Sequence, residues 1–329
     1  MAGVDVAGEF ETIRRLFAPL AHPEWGRGLR DDVAVVPSKK GHDLVLTKDA
    51  IVEGVHFLPA DPLDTVARKL MRVNLSDLAA KGAEPFGYLL ACHWSERCGW
   101  PERMTFVDGL RADQTAFGIA LMGGDTVVTP GPASFSMTLL GWAPRGRTVG
   151  RAGARAGDLV FVTGNIGDGW LGLQAAQEKL SLEPDRVSAL LEHYRTPTPR
   201  VEFAAVVQDY ANASIDVSDG LIADLGHLAD ASGVRIEIDL EVTPRSAAGQ
   251  AWYDGRVDEQ SALESLVTGG DDYEIAFTAR AGHEAVLRRE AERRHLRLTR
   301  IGQVVAGQGI VARFGGAPIP MDRPGFTHG

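Results

Sequence analysis

Acidic residues, several of them beside glycine or serine, recur along the chain: Asp31 and Asp32, Asp49, Asp77, Asp125, Asp216 and Asp219, and Asp271 and Asp272. Carboxylates are the side chains with which proteins hold hard divalent cations. Each cluster stands beside an apolar run that reads as a strand or an amphipathic helix, so folding can bring distant carboxylates to one edge. Two carboxylates about 5 Å apart repel by roughly 3 kcal/mol at an effective dielectric of about 20. The distribution therefore reads as an assembled divalent-metal site, because a cation removes that repulsion.

The flanks of each cluster say what else it can do. In LMGGDT a hydrophobic strand runs into two glycines and Asp125. Glycine lets the backbone approach a phosphate, and the carboxylate can hold the metal that bridges phosphate oxygens; a tight turn with an Asx cap explains the same residues as structure. In IDVSDG, Ser218 reads as a helix N-cap and Asp219 as a first-turn acid, which leaves Asp216 in the preceding strand unexplained by capping. NLSDLAAKGA sets Asn74 and Asp77 on one helix face beside a buried stripe, where Asp77 needs a cation or an arginine. In LTKDAIVEGVHF, strand alternation puts Thr47 and Asp49 on one face and Lys48 on the other. His56 is either a contact for an anionic substrate or a structural histidine. TGGDDYE repeats the glycine-acid theme at what also reads as a strand-entry turn, and VTGNIGDG can cradle phosphate on backbone N–H groups without matching the Walker pattern. GxxxxGK[ST], a kinase catalytic loop, a GxSxG elbow and an HExxH helix are all absent.

These segments need elements to position them. Phe10, Ile13, Leu16, Phe17 and Leu20 have helical spacing, VAVV and DLVLT read as strands, and Asp64 to Lys81 reads as a helix closed by Gly82. FGYLLACHW, IALM and SFSMTLLGWA follow as strands around the helix PERMTFVDGLRADQTAF. Past the Gly- and Arg-rich stretch 144–158, DLVFVTG, IDVS, VRIEIDL, YEIAFTA and segments near Ile301 and Val311 read as strands. Helices are expected at DGWLGLQAAQEK, at Arg200 to Ala211, at DGLIADLGHLADASG and in the charged run before Ile301. With 329 residues the length favours two domains, divided here as 1–143 and 144–329, in a mixed α/β (α+β) fold. The 44 acidic and 34 basic residues give a formal charge of -10, which argues against a nucleic-acid surface but not against a nucleotide held through Mg²⁺. Cys92 and Cys98 make no disulfide framework, and no run has signal-peptide or membrane-span character, so a cytoplasmic protein without a membrane partner is expected.

In order and wording, GEF, LRDDVAVV, TKDAIVEGVHFLP, VNLSDLAAKGAEP, GGDT, RAGARAGD, VTGNIGD, IDVSDGLIADLGH, TGGDDYE and the terminal PGF resemble the thiamine-monophosphate kinase family along essentially the whole chain. That family sits in a wider group of ATP-binding proteins with aminoimidazole ribonucleotide synthetase. The resemblance implies two α/β domains, N-terminal strands that pair in a barrel across a homodimer, ATP between the domains, and transfer of phosphate from ATP to thiamine monophosphate with several Mg²⁺ ions. It implies Asp32, Thr47, Lys48, Asp49, Asp77, Asp125, Asp216 and Asp219 as metal positions. Gly124, Asp125, Arg151 and Ser218 would contact ATP; His56, Asp271 and Phe326 would contact the thiamine substrate.

Three positions depart from the family pattern: Arg30 stands for the usual glycine, Lys48 for a hydroxyl residue and Asp271 for a glutamate. If position 48 coordinates through its side chain, that ligand is missing here, and if through its backbone carbonyl, little changes; Asp271 has one methylene less reach. Two rivals follow: another ATP-dependent enzyme of the wider group, and a non-catalytic nucleotide-binding dimer. Selenophosphate synthetase and the hydrogenase-maturation factor of that group call for an N-terminal or C-terminal nucleophilic Cys that this chain lacks.

Overall fold

A computed structural model describes residues 8–321 and Gly325. The chain divides into two compact units, one formed by residues up to Leu78 with Glu84–Gly146 and the other by Ala79–Ala83 with the residues from Arg147 onward. The short segment 79–83 belongs to the second unit although it ends a helix of the first.

The first unit begins with a helical turn, α1 (Glu9–Thr12), that runs on in π and 3-10 geometry to Leu20. Its sheet has the order β1-β4-β2-β3, from β1 (His42–Val52), β2 (Glu84–Ser95), β3 (Ala120–Thr129) and β4 (Ser134–Pro144). β1–β4 and β2–β4 are antiparallel, and β2–β3 is parallel. The helices α2 (Leu63–Ala80) and α3 (Trp100–Phe117) bury one face of it. Phe135 of β4 stacks on Phe106 of α3 at 4.3 Å and meets Trp94 edge-on at 5.1 Å, and the Trp94 indole donates to Thr126 Oγ1 at 2.9 Å. Asp113 of α3, buried, takes Arg72 at 2.6 Å and Arg68 at 3.2 Å from α2. Leu44, Leu46, Leu89 and Val127, by contrast, are 40–57% exposed on the other face.

The expected strand VAVV is not one. Residues 33–36 lie outside any strand, and Val33 and Val35 are exposed; strand propensity depends on what a segment packs and pairs with, and composition alone does not make a strand. The expected break at Gly123–Gly124 is absent as well: β3 runs through both glycines, with a register shift opposite Tyr88/Leu89.

The second unit is built on a seven-stranded sheet of order β11-β10-β7-β9-β5-β8-β6. In chain order its elements are β5 (Asp158–Thr163), α4 (Asp168–Ala176), α5 (Pro184–Arg195), α6 (Ala204–Tyr210), β6 (Ala211–Asp216), α7 (Leu221–Ser232) and β7 (Arg235–Asp239). They continue with α8 (Ala247–Asp254), α9 (Glu259–Thr268), β8 (Ile275–Arg280), α10 (Glu284–Glu292), β9 (Leu298–Val305), β10 (Gly309–Phe314) and β11 (Ala317–Ile319). Between Asp158 and Thr163 at its ends, β5 is a continuous apolar run because it is covered on both sides. Val160 and Val162 join Leu225 and Leu228 of α7 in one core, and Phe161 joins Phe277, Val207 and Leu287 in another. Among these, α5, α8 and α9 carry no pattern singled out in the sequence.

Gly109 sets the distance between α2 and α3: a Cβ there would lie 2.2 Å from the Asp64 carbonyl oxygen. Backbone cannot yield as a flexible side chain does, so Gly109→Ala is expected to destabilise the protein by about 2–3 kcal/mol. A chemical-denaturation midpoint equal to wild type would contradict that packing.

Candidate active site

Three groups of polar side chains carry the expected chemistry, two in the first unit and one in the second. The first is the face that β1 turns toward α2. Alternation holds as expected: Thr47 and Asp49 are half-buried while Lys48 is exposed, and Lys48 Nζ donates to Ser136 Oγ at 3.1 Å on the outer face. Helix α2 reads this strand with two polar residues three positions apart. The buried Asn74 accepts the Asp49 N–H at 3.2 Å and anchors itself by donating to the Leu70 carbonyl at 2.8 Å. Asp77 accepts the Thr47 hydroxyl. Burial, with the charge of Asp77 and a hydrogen bond shared with it, pushes Asp49 up to about 7. The pair thus holds a proton near neutrality where a cation would otherwise sit, and two carboxylates with a hydroxyl are hard donors of the kind that suit Mg²⁺.

His56 follows β1. Its Nδ1 accepts the Val52 N–H at 3.2 Å, so the neutral ring carries its proton on Nε2, the atom suited to donate to an anion. The His56 carbonyl accepts from the buried Lys69 Nζ at 3.3 Å.

The second group lies along β3. A cavity of about 570 Å³ is lined by Asp32 and Asp125 with Arg30, Gly124 and apolar residues such as Phe17 and Met122. Gly124 is required by close approach, since a Cβ would stand 1.8 Å from the Leu90 carbonyl oxygen. Register separates this group from the first. Asp49, Met137, Leu90 and Gly124 align across the sheet, and Asp125 aligns in the next row with Ala91, Ser136 and Ala50. With β1 and β3 as the opposite edges of four strands, three spacings of about 4.8 Å put roughly 14 Å between those edges.

The third group extends the β6–β8 pairing beyond the strand ends. Val217 N–H donates to Glu274, Tyr273 N–H to Val217 and Asp271 N–H to Ser218, each at 2.8 Å, which aligns the turn after Asp216 with the turn that carries Asp271. Asp216 is buried; Ser218, Asp219 and Asp271 are half-buried, and Asp271 has φ +66°. Ser218 is not the expected N-cap: α7 begins at Leu221 with Gly220 in that place. The cap comes from inside the helix, where the buried Asp224 accepts the N–H groups of Ser218 at 3.0 Å and Asp219 at 3.2 Å. Burial and the neighbouring Asp219 push Asp224 up to about 7. Asp224 is a site residue the motif reading passed over, although its position four after Gly220 was visible.

The VTGNIGDG turn does not cradle phosphate as the sequence suggested. Its N–H groups are taken by Asp272, whose carboxylate accepts from Gly167 at 2.9 Å and Gly169 at 3.0 Å. Glu274 is likewise structural, held by Thr163 at 2.7 Å and Arg200 at 2.6 Å. Arg151 is exposed, and its carbonyl accepts from Ser232 Oγ at 3.0 Å. Phe326 lies outside the described residues. Among the described residues, no three His, Cys, Asp or Glu side chains form a metal cage: the carboxylates of one chain meet in pairs. No helix among these residues is long and apolar enough to cross a membrane.

Residues 30–143 match the family model for the N-terminal domain of AIR synthase related proteins, and residues 155–315 the model for their C-terminal domain. The chain is 47% identical over 322 residues to the thiamine-monophosphate kinase of Caulobacter vibrioides, covering 98% of this chain and 91% of that one. Its fold matches the crystal structure of thiamine-monophosphate kinase from Stenotrophomonas maltophilia K279a with a TM-score of 0.81 and 35% identity, over 93% and 96% of the two chains. It matches a structure described as AaThiL complexed with AMPPCP and TMP with a TM-score of 0.76 and 34% identity, over 91% of each. By these matches, over nearly its full length, the chain belongs to the thiamine-monophosphate kinase family.

Proposed function

We infer that this chain phosphorylates thiamine monophosphate to thiamine diphosphate with ATP. The family match carries the reaction, together with a relative complexed with AMPPCP and TMP. An oxygen of the thiamine monophosphate phosphate attacks the γ-phosphorus of ATP; one P–O bond forms, the bond to the β–γ bridging oxygen breaks, and ADP leaves. A phosphate monoester with a second pKa of about 6 is mostly dianionic at neutral pH, so the acceptor needs no general base. Transfer is direct, without a phosphoenzyme.

The obstacle is the approach of two polyanions, and Mg²⁺ supplies charge neutralisation and alignment when bound. The residues suited to hold it are Thr47, Asp49 and Asp77 on one side and Asp32, Asp125, Asp216 and Asp219 on the other, with Lys48 contributing only its carbonyl. Gly124, Asp125, Arg151 and Ser218 serve ATP. His56, with its proton on Nε2, suits the acceptor phosphate; Asp271 suits the cationic thiamine rings, with Phe326 as their apolar partner. Asn74 and Asp224 hold backbone around these ligands and do not touch substrate.

A homodimer follows from the first unit, which we assign to ATP and metal binding and to dimerisation. With oxygen ligands at about 2.1 Å, no single Mg²⁺ can take Asp49 and Asp125 of one chain from edges roughly 14 Å apart. A second copy that brings its β3 edge to β1 closes the site and covers the exposed apolar face around Leu46. The enzyme is cytoplasmic, where its nucleotide is found.

Purified protein with ATP, Mg²⁺ and thiamine monophosphate is expected to yield thiamine diphosphate and ADP in equal amounts. ATP binding without product would leave only a nucleotide-binding dimer.

Asp77→Asn is expected to lower kcat by about 100-fold or more, the scale of a lost charge-stabilising group. It has the opposite effect on metal-free stability. Because Asp49 is raised from 3.8 to about 7 in the folded state, the wild type loses stability as pH rises between those values and stays penalised above them. At pH 8 the variant is expected to be more stable by on the order of 1–3 kcal/mol, with the advantage gone near pH 4. Denaturation curves in chelator at both pH values decide this, and a variant less stable at pH 8 would refute the repulsion.

Leu46→Glu is expected to give a monomer in sedimentation with little remaining turnover. A fully active monomer would overturn the shared site.

A further inference from the structure

The cavity along β3 holds a cation that the reaction as derived does not use. Arg30, Asp31 and Asp32 line it in succession, together with Gly124 and Asp125. The backbone that delivers them is unusual: Arg27, Gly28 and Leu29 have φ of 49°, 62° and 54°, a left-handed turn in which each non-glycine residue costs about 1–2 kcal/mol. Such strain persists only where neighbours over-determine it, and it collects at functional sites. Here the turn is pinned at both ends. The Leu29 N–H donates to Gly26 and the Val35 N–H to Trp25, both at 2.9 Å, and the His22 N–H donates to Leu121 of β3 at 2.8 Å.

Within the turn the charges are already sorted. Arg27 pairs with Asp31 through a guanidinium–carboxylate hydrogen bond. Asp31 is therefore spoken for, although it is the sequence neighbour of Arg30. The Arg30 side chain is exposed and has no ion pair or hydrogen bond among the described residues. A guanidinium kept off the adjacent carboxylate, at a cavity whose other charged groups are acids, lacks an anion. Its planar fork matches two phosphate oxygens.

We propose that Arg30 binds the polyphosphate of the nucleotide taken up along β3, and that Arg27 is a positioning residue that keeps Asp31 from capturing it. This rests on the kinase reading for the identity of the nucleotide. It adds to that reading a permanent positive charge that works with or without metal.

The test is calorimetric binding of ATP and of adenosine, each with and without Mg²⁺, to wild type, Arg30→Ala, Arg30→Lys, Arg27→Ala and the Arg27→Ala/Asp31→Asn double variant. Arg30→Ala is expected to weaken ATP about tenfold, the scale of one charge-assisted pair, with adenosine unchanged. Arg30→Lys recovers part of the loss, because the point charge remains without the fork. Arg27→Ala weakens ATP too, since the freed Asp31 takes Arg30, and the added Asp31→Asn restores it. That rescue is a result a merely structural role for Arg27 would not give. ATP bound equally by wild type and Arg30→Ala overturns the proposal, as does an equal loss of adenosine. Wild type that binds ATP but makes no thiamine diphosphate sinks the kinase reading alone and leaves the binding comparison intact.

Discussion

Everything at the β1 edge depends on two carboxylates held closer than they would choose to be. Asp49 and Asp77 come from a strand and a helix that pack face to face, and the contact is fixed by hydrogen bonds on either side of the pair: Asn74 on the Asp49 N–H and the Thr47 hydroxyl on Asp77. These bonds fix the backbone at Asp49 and the carboxylate of Asp77 at the contact of β1 with α2. Burial and, after it, the repulsion from Asp77 lift Asp49 to about 7; both are built into the packing, and a proton or a cation relieves them. A proton is the weaker solution at neutral pH, and this converts a local strain into a preference for metal.

The second unit solves a similar problem differently. There, the turn that carries Ser218 and Asp219 is fastened through its backbone, by Asp224 on the N–H side and by Asp271 N–H on the Ser218 carbonyl. The neighbouring Asp272 and Glu274 are engaged internally, by a glycine turn and by Arg200. A run of acids in one short segment thus divides into groups that build and groups that remain available. In the first unit the same sorting occurs across the left-handed turn, where Asp31 builds and Asp32 remains.

Much of this was legible in the sequence where the rule is local. The period of two in β1 separated Thr47 and Asp49 from Lys48, and the spacing along α2 set Asn74 and Asp77 on one face; both follow from backbone geometry alone. Reading failed where a residue's partner is distant. VAVV has strand composition but pairs with no strand within the described residues, and Gly123–Gly124 looked like a break because the nearness of the Leu90 carbonyl is invisible in one dimension. Ser218 looked like a cap because Asp224, which does the capping, lies inside the helix. The glycine turn before α4 looked empty because Asp272, which fills it, is more than a hundred residues away. Strand order is the largest such gap: nothing local says that Asp49 and Asp125 sit on opposite edges of one sheet.

The central claim is that a cation replaces the proton shared by Asp49 and Asp77, and proton release on Mg²⁺ binding tests it most directly. Calorimetry at pH 6.5 in two buffers of different ionisation enthalpy reads that release. The account predicts that protons are displaced as Mg²⁺ binds, that the number falls as pH rises through 7, and that Asp77→Asn reduces the effect, leaving the part due to burial of Asp49. Mg²⁺ binding that displaces no proton at pH 6.5 would contradict it.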